Sequence, residues 1–234
     1  MMALYHTIYD LDFFGGYAIE STTGFWARFA DATAGTFVFL VGVSLTLSFS
    51  RTVSRGADAS FGKYLRRGAR IFGYGLLITA FFAVANAGAV VFGILHLIGI
   101  SIILAYPFLR LGWTNVALGL AIIAAGVYLR ASGASFDGGL AASVLLAPLG
   151  ITPENLLMPD YRPLLPWFGV CLLGVAAGNL LRGRIPSPSL PEAAHRSASP
   201  LAFLGRNSLL IYLVHQPLII AALEVTGVID LGIV

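Results

Sequence analysis

Three histidines fall within or at the ends of long apolar stretches: His6, His96 and His215. An ionisable side chain among apolar neighbours is costly to keep and marks a candidate site by default. His6 is the sharpest of the three, because Asp10 follows at i+4 and places a carboxylate and an imidazole on one helix face. An acid in that position can orient the ring and favour its protonated form, which is how a general base is built. The plainer alternative is a buried His satisfied by a backbone carbonyl, with Asp10 capping the helix end or meeting water there. His96, in GILHLIG, and His215, in YLVHQP, have no carboxylate at helical spacing. Each suits a helix–helix hydrogen bond as well as substrate binding. Beside His215, Pro217 lacks an N–H and clashes with the Leu213 carbonyl, so a kink and a freed backbone acceptor are expected there.

Other polar groups are weaker candidates. Asp31 is expected just before the second helix, either capping it or meeting substrate. Asn207 could orient a substrate or stabilise an oxyanion. Arg66, Arg67, Arg70 and Arg206 could hold phosphates through bidentate contacts, although ordinary anchoring at a membrane surface explains them too. No Walker loop, nucleotide-binding glycine fingerprint, HExxH or CxxC pair is present, and the histidines include no sequence-close pair that would suggest a metal.

The elements that must position these groups are membrane helices. Apolar stretches run over Ala30 to Phe49, Ala69 to Ala85, Ala89 to Leu109, Val116 to Leu129, Leu164 to Leu181 and Leu201 to Leu223. A hydrocarbon core of about 30 Å needs about 20 apolar residues per helix, and the stretch after Val116 reaches that length by borrowing Leu111 to Thr114. Hydrophobic residues make up 58% of the chain and charged residues 11%, with a mean hydropathy of +0.86. A soluble domain carries about 25% charged residues. The expectation is an all-α polytopic transmembrane helix bundle with six full spans plus a truncated first helix, forming one domain over residues 1–234. Counted from the outer helix ends, each histidine should lie about 10 to 12 Å below the outer surface at 1.5 Å per residue. Such a common depth suggests one shared polar cavity.

Basic residues fix the orientation. Arg51, Arg55, Lys63, Arg66, Arg67, Arg70, Arg110, Arg182, Arg184, Arg196 and Arg206 are 11 of the 14 Lys and Arg, and all lie in alternate loops or their flanks. That side is read as cytoplasmic. The other side takes Asp10, Asp12, Glu20, Asp31, Asp137, Glu154, Asp160, Glu224 and Asp230, which leaves the C-terminus extracytoplasmic and the protein multi-pass in the plasma membrane. A net charge of +3 does not suggest nucleic acid as a partner. Cys171 is the only cysteine, so no internal disulfide can form.

Met1 to Phe14 reads as the outer end of a helix with too few residues to cross and no basic start, unlike a cleavable signal. Leu140 to Leu149, within the outer loop Ala131 to Pro163, is short enough to be re-entrant or interfacial. Ile185 to Pro200, rich in Pro, Ser and Ala, reads as a flexible inner linker. Glycines within the spans, Gly73, Gly75, Gly119, Gly126, Gly174 and Gly178, are expected to let helices approach closely.

In order along the chain, LYHTIYDLDFFGG, GFWARFADATAGTFVFLVGVSLTLSFSR, FGILHLIGISIILAYPFL, PWFGVCLLGVAAG and LGRNSLLIYLVHQPLII cover most of it. Together they resemble the prokaryotic membrane family of heparan-α-glucosaminide N-acetyltransferase catalytic domains. The resemblance implies a transmembrane acyltransferase that takes an acetyl group from cytoplasmic acetyl-CoA and delivers it to a sugar amine or hydroxyl across the membrane. In the wider superfamily a His near the outer part of the first helix is the expected base, and His6 matches it. Asp10 would orient His6, and Asp31, His96, Asn207 and His215 would meet substrate. Arg66, Arg67, Arg70 and Arg206 would hold the CoA phosphates. Membrane lipid, a glycan or glycolipid acceptor and a second copy in a homodimer are the partners considered.

Two departures bear on this. The Asp-x-x-Arg-Gly segment that opens the first helix in the family lies upstream of where this chain starts, so the N-terminus is expected to be incomplete. At the position where the lysosomal enzyme has its His, an ungapped match places Ser21. Heparan specificity is therefore not carried over. An acyl-histidine intermediate and direct transfer both stay open, as do a transporter or flippase of an envelope glycan precursor and an inactive truncated fragment.

Overall fold

The computed structural model describes residues 1–84, 91–136, 140–152, 160–182 and 202–229. The expected linker Ile185 to Pro200 lies outside them, as do residues 85–90, which take in the end of the stretch from Ala69 to Ala85 and the first two residues of the one from Ala89 to Leu109. The described residues form α1 (Met2–Phe13), α2 (Gly24–Ser54), α3 (Phe61–Val84), α4 (Ile94–Leu104), α5 (Thr114–Ala131), α6 (Leu140–Leu146), α7 (Leu164–Leu181) and α8 (Ser208–Val225). Short 3-10 turns at Tyr106–Arg110 and Ala147–Leu149 follow α4 and α6. A single bridge between Ser135 and Thr152 is the one β contact among the described residues. The fold is all-α.

Five helices, α2, α3, α5, α7 and α8, are long and apolar enough to cross a membrane. Their large side chains face outward freely: Leu77 on α3 is 66% exposed and Phe81 68%. Apolar surface of that extent suits contact with lipid rather than water. The protein is a multi-pass membrane protein. The expected third span is not one long helix. It folds as α4, 11 residues long, and the 3-10 turn that continues it.

Two compact units arise from this chain, one over Met1–Ala34 and Pro186–Val234, the other over Gly35–Ile185. In the first, α1 packs on α8. The loop after α1 is held by the Asp12 carboxylate, which accepts the Ile19 N–H at 3.1 Å and the Ser21 N–H at 2.7 Å. Between those two bonds Glu20 takes φ +53, a left-handed conformation that a non-glycine residue adopts only when its neighbours hold it.

In the second unit α7 supplies the most buried surface, with Cys171, Leu172 and Val175 fully buried. Its close neighbours are set by glycine pairs. A Cβ on Gly174 would stand 2.1 Å from the Phe39 carbonyl oxygen of α2, and one on Gly42 the same distance from that of Cys171. Gly119 of α5 and Gly169 of α7 oppose each other similarly, as do Gly68 of α3 and Gly99 of α4. With no hydrophobic force between helices in lipid, such backbone approach is what gains dispersion energy. Gly73, expected to serve the same end, meets nothing within 4 Å. Thr46 adds a bond between helices, its hydroxyl donating to the Val175 carbonyl at 3.3 Å. Leu165, held out of the helical region by the following Pro166, delays the regular part of α7 by a residue or two.

The loop before α7 also closes the start of α4. Asp160 accepts the Ile94 N–H at 3.1 Å, and the Arg162 N–H donates to the Phe92 carbonyl at 3.3 Å. Tyr161 between them donates its hydroxyl to the Ala147 carbonyl at 2.7 Å. Burial pushes that phenol up to about 12.

Candidate active site

The site grows from one helix pair. On α1, His6 and Asp10 stand one turn apart; on α8, His215 and Gln216 are consecutive. The two helices meet along these residues through two cross-helix bonds. His215 Nε2 and His6 Nδ1 are 2.6 Å apart, and Gln216 Nε2 donates to Asp10 Oδ1 at 2.7 Å. The imidazole centroids are 4.7 Å apart. Asp10 is fully buried, His215 is 9% exposed, and His6 is half-buried.

Hydrogen-bond chemistry fixes the protons of this chain. His215 Nδ1 lies 2.6 Å from the Tyr212 carbonyl oxygen, which can only accept. His215 therefore carries its proton on Nδ1, and in the neutral ring Nε2 is a bare acceptor. His6 must then donate from Nδ1. A neutral His6 is left with an unprotonated Nε2, the basic nitrogen of the imidazole pair that is not taken up by the bond between the two rings.

One sequence expectation is corrected here. Asp10 does not bond His6 directly. The i+4 spacing does place both on one face, but α8 covers that face and offers a nearer partner to each. The ring goes to His215 and the carboxylate to Gln216. Gln216 and the Tyr212 carbonyl were not singled out in the sequence. An amide in an apolar helix carries the same signal as an intramembrane His, so Gln216 was open to the argument that found His215.

His96 belongs to the other unit. A helix starting at Ala89 would put it seven residues in, whereas α4 begins at Ile94 and His96 lies in its first turn. The reason is Gly93, whose extended backbone ends the approach and leaves an N–H that His96 Nδ1 accepts at 3.2 Å. Phe72 and Phe92 flank the ring, and Gly75 of α3 makes room for it, since a Cβ there would stand 2.9 Å away. Its Nε2 is buried without a hydrogen bond.

The remaining candidates are more exposed. Asp31 does not precede α2, which starts at Gly24; it lies in the second turn, past the cap position, because the helix runs six residues ahead of the apolar stretch. Arg66, Arg67 and Arg70 are exposed in the early turns of α3, and Arg66 Nε donates to the Gly62 carbonyl at 3.3 Å. Arg206 is exposed just before α8, in the unit that holds His6. Asn207 turns its amide back on its own helical turn, donating to the Phe203 carbonyl at 2.9 Å. Among the described residues no group of three His, Cys, Asp or Glu could hold a metal.

A family model described as Heparan-alpha-glucosaminide N-acetyltransferase, catalytic, matches residues 1–217, a range that takes in every candidate site residue. No curated protein and no solved structure matches the chain.

Proposed function

The chain belongs to the heparan-alpha-glucosaminide N-acetyltransferase catalytic family, and on that premise we propose that it transfers acetyl groups from cytoplasmic acetyl-CoA to a sugar amine or hydroxyl on the extracytoplasmic side. The observation that carries the reading is the imidazole pair, because it leaves His6 Nε2 basic in a protein whose family performs acyl transfer. His6 takes the proton of the attacking amine or hydroxyl on Nε2 and becomes an imidazolium. Its Nδ1–H bond to His215 then becomes charge-assisted, which stabilises the cation as it forms. His215, fixed by the Tyr212 carbonyl, is a positioning residue for the base.

Acetyl-CoA, the donor of the family, supplies an activated thioester: the attacking nitrogen or oxygen bonds its carbonyl carbon, the C–S bond breaks, and the CoA thiolate leaves with the proton that His6 returns. The guanidinium groups of Arg66, Arg67 and Arg70 fit its phosphates in kind, being exposed and spaced along the first turns of one helix. Arg206 is proposed for the same role. The basic side is cytoplasmic by the distribution of Lys and Arg. A sixth span formed by α4 and its 3-10 extension would measure about 26 Å at 1.5 and 2.0 Å per residue, close to a hydrocarbon core. A glycan or glycolipid is the acceptor this chemistry suits.

The test uses protein purified into lipid nanodiscs, labelled acetyl-CoA and a panel of amino-sugar and hydroxyl-sugar acceptors. Label should pass to an acceptor, and His6→Ala should abolish transfer while insertion and expression stay intact. Label that remains on CoA with every acceptor would sink the transferase reading, and wild-type turnover by His6→Ala would remove His6 from it.

A further inference from the structure

The bond between Asp10 and Gln216 leaves two oxygens unexplained. Asp10 Oδ2 and Gln216 Oε1 are both buried and both lack a hydrogen-bond partner. Each is an acceptor, and each belongs to a group already joined to the other at 2.7 Å. A buried acceptor with no donor is destabilising, and more so if it is charged. Neither α1 nor α8 contains a Lys or Arg that could hold a carboxylate there. The other titratable groups nearby are committed elsewhere or are poor cations. His6 and His215 bond each other, Asp12 is held by the Ile19 and Ser21 amides, and Tyr9 is a phenol.

We infer that Asp10 is a neutral carboxylic acid that closes a cyclic acid–amide pair with Gln216. A single proton on Oδ2, donated to Oε1, satisfies both orphaned oxygens at once and balances the bond that runs from Nε2 to Oδ1. Such a pair is planar and two-pronged, so it fixes the register of α8 on α1. His215 immediately precedes Gln216 and His6 lies one turn before Asp10, so that register is what brings the two rings into line. Neutrality has its own consequence. A carboxylate beside the imidazoles would favour their protonated form, whereas a neutral acid leaves His6 Nε2 free to act as a base. Asp10 and Gln216 are thus positioning residues, and Asp10 is not itself the base.

This inference gives the acetyl-transfer reading its geometry, but its test does not depend on that reading. Infrared difference spectra of the protein in nanodiscs at neutral pH should show the C=O stretch of a protonated carboxylic acid, shifting in heavy water and missing from Asp10→Asn. Asparagine is the neutral isostere: it accepts from Gln216 Nε2 and donates to Oε1. Asp10→Asn should therefore melt close to wild type and keep its transfer rate within about threefold, whereas Asp10→Ala should lose stability and about tenfold or more in rate, since it strands a buried amide. No protonated-acid band lost in Asp10→Asn, or a melting loss as large as that of Asp10→Ala, would overturn the neutral pair. If wild-type protein transferred no acetyl at all, the function would fall, and the band and the melting series would still decide the state of Asp10.

Discussion

Between His6 and His215, each ring's proton is fixed by what the other can accept, and the chain ends on a backbone carbonyl that cannot change. Removing His215 should therefore harm catalysis more than binding. His215→Ala leaves the His6 Nδ1–H without an acceptor and the ring free to turn, so kcat should fall by about 100-fold, at the low end of what general-base catalysis contributes, with KM little changed. Steady-state kinetics on the nanodisc protein check this. A rise in KM at constant kcat would make His215 a substrate contact instead. The sequence exposed both histidines and Asp10, because charge-bearing groups stand out in apolar helices. It could not say who pairs with whom. Intrahelical spacing is local and readable, whereas the contact of residue 6 with residue 215 depends on how α8 lies on α1. The i+4 rule offered Asp10 as the partner of His6, and a helix 209 residues away took its place.

At the level of helices, hydropathy located α7 to the residue and α2, α3, α5 and α8 within a turn or two at most ends. It failed where apolar character and helix geometry part company. The stretch from Ala89 to Leu109 is apolar throughout, yet Gly93 breaks its regularity at one end and Pro107 tightens the other into a 3-10 turn. Contact between helices was legible only as a list of glycines, with nothing to separate those that face a neighbour from those that do not. Gly174→Ala should destabilise the protein by about 1 to 3 kcal/mol, since the new methyl meets backbone on α2 that has no rotamer to yield. Gly73→Ala should be neutral or stabilising by up to about 1 kcal/mol through helix propensity, because nothing stands in its way. Unfolding in detergent measures both. Equal losses at the two positions would mean that α2 and α7 are not held by this contact.

For the molecule as a whole, the proposed reaction has donor and acceptor on opposite faces of the membrane, so sidedness is as much a part of the proposal as His6. The distribution of Lys and Arg supports a cytoplasmic loop after α2 and an outer loop after α5. Cys171 makes that orientation open to direct test. It is the only cysteine and is fully buried in α7, so it should stay silent towards a membrane-impermeant maleimide. Single cysteines can then be placed at Arg55, exposed after α2, and Ser132, exposed after α5. In intact cells Ser132→Cys should label at once, and Arg55→Cys only after the membrane is permeabilised. The reverse order would invert the chain and place Arg66, Arg67 and Arg70 on the outer face, away from any cytoplasmic thioester. In that case the same arginines would have to be explained by anionic headgroups of the outer leaflet, and acetyl transfer from a cytoplasmic donor would lose its phosphate contacts.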